Sequence, residues 1–176
     1  MQKNLSWLLG ALCGVTLVVI VYLIKRLTSG KQADFDERQT AARGEAFKYA
    51  FFTTSFFELL YVCLEAGGIS FADQTVGPLL PVLLGVAIFA ITAIAKDAYL
   101  SLRENPKTTL VFLLLMIASN LLIGIPKFLD GKAFSDGRLT FDGVQLPVAA
   151  LFLVVLAAFV IHWFRGRRSA EDGEGE

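Results

Sequence analysis

Hydrophobic positions fall into five long runs, Leu5–Ile24, Tyr49–Gly68, Pro78–Ala95, Thr108–Pro126 and Leu146–Phe164. Each run is 18 to 20 residues long, and a helix of that length can cross a hydrocarbon layer about 30 Å thick. The polar stretches between them are too short and scattered for a separate soluble domain. The pattern therefore predicts an all-α, polytopic membrane helix bundle of five spans, one domain over residues 1–168. The segment 169–176 is apolar-poor and acidic, and it is expected to be a disordered tail.

The polar segment between the first two runs has its own helical signal. Asp34 followed three residues later by Glu37 reads as a capping-box variant. Glu, Arg, Gln and Ala follow it, all good helix formers. A helix over 34–48 is expected to continue into the second run, so that one element of about thirty residues, roughly 45 Å long, starts near Asp36. After the fourth run, Phe134 and Leu139–Phe141 are expected to pair as a short hairpin around Ser135-Asp136-Gly137.

Composition sharpens the class. Hydrophobic residues make up 55% of the 176-residue chain and charged residues 18%, against about 45–50% and about 25% in soluble domains. A soluble enzyme, a secreted disulfide scaffold and a disordered tail protein are excluded. Lys and Arg divide unevenly between the two sets of connections: twelve lie in 25–48, 96–107 and the tail, and four on the opposite side. By the positive-inside rule this puts the amino terminus outside and the carboxyl terminus in the cytoplasm. Trp7, Tyr22, Tyr49, Tyr99 and Trp163 fall at the expected boundaries. The basic pair Lys25 and Arg26 follows the first run, which marks a retained span rather than a signal peptide.

Candidate chemistry is sparse. Cys13 and Cys63 lie inside runs and are expected to be buried free thiols. A single His excludes a zinc cluster, and no nucleophile triad or phosphate-binding Gly loop is present. No enzymatic activity, cofactor, metal or direct nucleic-acid binding is expected. His162, beside Trp163, reads as an interfacial side chain. In the second run Thr54, Glu58, Tyr61 and Glu65 are spaced four, three and four, one stripe on a helix face. Glu58 lies near mid-run, where a carboxylate is costly and must face the bundle or a watery cavity. It is expected to serve as protonated interhelical glue, with Asn120 of the fourth run within hydrogen-bonding reach. The alternative is a proton- or cation-coupled transport site. Gly10 and Gly14 form a G-x-x-x-G pair that seats either another span of the chain or a second copy.

The stretch Asp36-Glu37-Arg38-Gln39, followed by Ala42-Arg43-Gly44-Glu45-Ala46-Phe47-Lys48-Tyr49, resembles a group of small multi-span membrane proteins of Firmicutes, chiefly Clostridia. In that group a D-E-R-Q tetrapeptide precedes an aromatic-rich span. The resemblance covers about seventeen residues and the hydropathy layout. It implies a bacterial plasma membrane and leaves activity open. The expected function is regulatory or scaffolding. The cytoplasmic helix Asp34–Tyr49 would dock a cytoplasmic regulatory protein or anionic lipid through Asp36, Glu37, Arg38, Gln39 and Arg43.

Overall fold

The computed structural model describes Val19, residues 35–101 and residues 104–173, with side chains up to Arg165. The expected first span, apart from Val19, and the Gly10–Gly14 pair lie outside the described residues. Among the described residues 74% are helical and there are four α-helices, three of them long and apolar enough to cross a membrane. They are α1 (Glu37–Ala66), α2 (Leu79–Ala95), α3 (Pro106–Leu129) and α4 (Gln145–Gly173). The three long ones are α1, α3 and the apolar part of α4.

α1 forms as one unbroken helix of 30 residues. Its cap is Asp36 rather than the expected Asp34: the Asp36 carboxylate accepts a hydrogen bond from the Gln39 backbone N–H at 2.6 Å. Asp36 has extended backbone angles, which an N-cap requires. α2 begins behind Pro78 and tolerates Pro81 in its first turn, where no intrahelical N–H is needed. It has 17 residues, about 25 Å at 1.5 Å per residue, and is shorter than the other three. α3 is capped by Asn105, which accepts from the Lys107 N–H at 2.9 Å, and starts on Pro106. α4 continues to Gly173 and so enters the segment expected to be disordered. The reason is local: Arg167 to Asp172 holds no Gly or Pro, and the next Gly is Gly173 itself.

The helices pack in the order α1, α2, α4, α3. A core of Ala90 and Ile94 from α2, Leu113 from α3, and Val155 and Phe159 from α4 joins the last three. α1 touches this layer through α2. The rest of α1 is a broad exposed apolar face, with Phe51 at 67% and Leu59 at 68% exposure. Such a surface is unstable in water and suits lipid. Cys63, expected to be buried, is free and lies on this exposed side of α1.

Opposite the polar start of α1, the connections knit together. β1 (Phe134–Ser135) and β2 (Arg138–Leu139) form an antiparallel hairpin in which Phe134 faces Leu139 and Ser135 faces Arg138. Both turn residues have positive φ, 50° at Asp136 and 75° at Gly137, the signature of a type I′ turn that Asp-Gly favours. Leu139 also joins the loop after α1: its N–H donates to Phe71 O at 2.9 Å, and its carbonyl accepts from Asp73 N at 2.8 Å. The Asp73 carboxylate accepts from the N–H groups of Thr75, Val76 and Phe141. Lys127 pairs with Asp142 across the base of the hairpin.

Close approach of α1 and α2 depends on Gly85. A Cβ there would lie 1.9 Å from Thr54 Oγ1 and 3.2 Å from the Ala50 carbonyl oxygen. Gly85→Val is expected to destabilise the purified protein by about 1–3 kcal/mol, the usual range for overpacking. Thermal unfolding in detergent should show the loss. An unchanged midpoint would mean that the helices do not need this contact.

Candidate functional site

The residues of the D-E-R-Q stretch and those of the acidic stripe occupy one face of one helix. From Gln39 the positions run Arg43, Ala46, Ala50, Thr54, Glu58, Tyr61 and Glu65, in steps of three and four. That spacing holds a single line along an α-helix. All eight are buried or half-buried, with Ala46 at 0% and Tyr61 at 8% exposure. The line faces α2 and the segment that follows it.

At the polar end the geometry begins with how α2 stops. The Ala98 N–H bonds back to Ala93 O at 2.8 Å and the Asp97 N–H to Ile94 O at 3.1 Å, a Schellman closure. Its left-handed position is held by Asp97, with φ 57°, where Gly is usual. This closure satisfies N–H groups and leaves carbonyls turned outward. α1 supplies their donors. Gln39 Nε2 donates to Asp97 O at 2.7 Å, and Arg43 Nη1 donates to Ala98 O at 3.1 Å. The Arg43 guanidinium lies 4.3 Å from the Phe35 ring centroid and 5.5 Å from that of Phe89. A cation beside the carboxyl end of α2 also meets the negative end of its dipole.

Two residues further along α1, Glu45 pairs with Lys96 and accepts from the Tyr49 hydroxyl at 2.8 Å. The hydrogen bond from Lys96, followed by that from Tyr49, holds the Glu45 carboxyl below its ordinary value. On the far side of the turn, His162 Nε2 of α4 lies 2.6 Å from Asp97 Oδ1. Burial, followed by the nearby Glu104 carboxylate, pushes the Tyr99 hydroxyl above its ordinary value. A single turn after α2 is thus gripped by α1 and α4 together.

Gln39, Arg43 and Asp36 therefore act first within the chain, Asp36 as the cap and the other two as donors to the turn. Glu37 and Arg38 are exposed. Beside them a groove of about 420 Å³ runs between α1 and the end of α2, lined by Arg38, Ala41, Ala42, Glu45, Ala95 and Lys96.

Along the acidic stripe, Thr54 sits against Gly85, Tyr61 packs edge-on to Phe71 with ring centroids 5.7 Å apart, and Glu65 lies beside Tyr61. Glu58 is half-buried between them. The expected hydrogen bond from Asn120 to Glu58 does not form. Asn120 is on α3, which packs on α4 rather than on α1, and its amide donates to Met116 O of its own helix at 2.7 Å. The pairing of His162 with Asp97 has no sequence signal, because the two are 65 residues apart and neither belongs to a motif. Asp73 did carry a local signal, since Asp two residues before Thr favours an Asx turn.

No protein-family model matches the chain, and no curated protein or solved structure does. Among the described residues no group of three or more His, Cys, Asp or Glu is placed to hold a metal ion.

The two arginines of the stretch should separate by stability. Arg43→Met removes a charged donor from half-buried carbonyls and is expected to cost about 1.5–3 kcal/mol. Arg38→Met, at an exposed position, should stay within about 0.5 kcal/mol of the parent. Chemical unfolding of both variants in the same detergent measures the difference. Equal effects would contradict the grip on the turn.

Proposed function

We propose that this chain is a non-enzymatic integral membrane protein of the bacterial plasma membrane, with a regulatory or scaffolding role. In this reading it has five spans, its amino terminus is outside and its carboxyl terminus is in the cytoplasm. The amino-terminal turns of α1 dock a cytoplasmic protein that presents acidic groups. The observation that carries the reading is the groove beside Arg38. Its walls are held by the donors from Gln39 and Arg43 and by the Glu45–Lys96 pair. It lies just ahead of the apolar run, with Arg38 exposed on its rim. The uneven distribution of Lys and Arg supports the orientation. The resemblance to small Clostridial membrane proteins, carried by Asp36-Glu37-Arg38-Gln39, supports the setting.

Orientation is tested by cysteine labelling in a chain lacking Cys13 and Cys63. Single cysteines at Gln74 and Ser135, both exposed, should react with an impermeant thiol reagent on intact cells. One at Lys107 should react only after lysis. Labelling of Lys107→Cys in intact cells would reverse the proposed orientation.

Docking is tested with Arg38→Glu, since Arg43 is needed for the fold. The variant should melt like the parent and lose the partner recovered with the parent from detergent extracts by at least about tenfold, the loss of one charge-assisted contact. Binding to vesicles of anionic lipid is the parallel measurement. If partner recovery and vesicle binding are both unchanged, the docking reading is wrong.

A further inference from the structure

Lys107 and Lys127 stand twenty residues apart on α3 with no charge between them, about 30 Å along the axis. That is the thickness of a hydrocarbon core, so Lys127 marks one boundary of the span. Leu115, Leu122 and Ile125 give α3 an exposed apolar surface between the two lysines. Phe128 and Leu129, also exposed, carry that surface past Lys127.

The hairpin folds back onto this boundary instead of projecting from it. The Phe134 ring lies edge-on to that of Phe128, with centroids 6.3 Å apart. Lys127 pairs with Asp142 in the turn before α4, which keeps the neighbouring Phe141 at the same level. Leu139, opposite Phe134 in the hairpin, donates its N–H to Phe71 O at 2.9 Å. Phe71, Phe128, Phe134 and Phe141 come from four separate segments, yet they gather at one end of the bundle, and all four are exposed. The hairpin itself is two-sided. Strand alternation puts Phe134 and Leu139 on one face and Ser135 and Arg138 on the other.

We propose that this aromatic collar is a lipid-contact surface and that the hairpin lies in the headgroup layer of the bilayer. Phe128, Phe134 and Phe141 enter the acyl boundary, while Ser135 and Arg138 face water. Elements with Phe and Leu on one side and polar or cationic groups on the other settle at that depth. The collar continues the exposed apolar surface of α3 without a break, which favours lipid over a protein occupant. It fixes how far α3 and α4 sit in the membrane, because the hairpin is tied to both by the Phe128–Phe134 contact and the Lys127–Asp142 pair. The proposal rests on α3 crossing a membrane, and on neither the orientation nor the docking groove.

The full-length protein, without Cys13 and Cys63, carries one nitroxide-labelled cysteine at a time and is reconstituted into phosphatidylcholine nanodiscs. Collision with oxygen and with a water-soluble nickel chelate gives the depth of each label. Leu115→Cys, near mid-span, should be deep in hydrocarbon. Phe134→Cys and Phe141→Cys should lie about 5–10 Å inside the headgroup boundary. Ser135→Cys, on the polar face, should meet the nickel chelate freely. Nickel access at 134 equal to that at 135, with Leu115→Cys still deep, would overturn the proposal and leave the span intact. Nickel access at Leu115→Cys would overturn the membrane reading and the collar with it. Shielding of 134 and 141 from both collision partners would reassign the face to a protein contact. In the unsubstituted protein, a phosphatidylcholine carrying a diazirine beside its glycerol should crosslink to Phe128, Phe134 or Phe141. That arm decides should a labelled variant fail to fold, and crosslinks confined to other segments would overturn the proposal.

Discussion

Everything α1 does depends on one packed line, the face from Gln39 to Glu65 set against α2 and the turn that follows it. Lipid gives little hydrophobic drive for helix association, so close contact and satisfied polar groups must supply it. Both occur here. In the middle, Ala46, Ala50 and Thr54 let the backbones approach, and Gly85 opposite leaves room for Thr54. At the ends, side chains on the same line bring polar groups to the places where regular structure stops. Gln39 and Arg43 meet the open carbonyls after α2, and Tyr61 meets Phe71 of the loop at the hairpin end.

The two ends of this line differ in chemistry for a plain electrostatic reason. A helix that ends without further backbone partners presents carbonyls and a negative dipole end, which attract donors and cations. α2 ends at the level of Arg43 and Lys96, so the polar end gathers positive groups, with Glu45 as their counter-charge. At the hairpin end the charged side chains on α1 and its loop are acids, and one of them, Asp73, is engaged by three backbone N–H groups.

α1 also illustrates how residues expected to face a partner can be engaged within their own chain. Of the five residues from Asp36 to Arg43 expected to contact a partner, Asp36 caps the helix and Gln39 and Arg43 hold the turn after α2. Glu37 and Arg38 are left at the surface. The spacing of four between Gln39 and Arg43 already placed them on a common side. Which surface that side would meet was not written locally, because the acceptors are backbone carbonyls 55 to 58 residues away. Backbone carbonyls have no residue-type signature.

Hydropathy and local chemistry in the sequence by themselves determined the apolar helices, the continuous thirty-residue α1 and the hairpin turn at Asp136-Gly137. Each depends on interactions within a few residues: apolar run length, helix propensity, and the positive φ that Asp-Gly permits. The structure alone decided which helices are neighbours. It therefore separated Asn120 from Glu58, although both lie within apolar runs, and joined Asp97 to His162, although no pattern links them. It also turned two distinct sequence features, the D-E-R-Q stretch and the acidic stripe, into one interface. Periodicity along a helix specifies which residues share a face. Only the packing of a second helix onto that face gives the residues their partners.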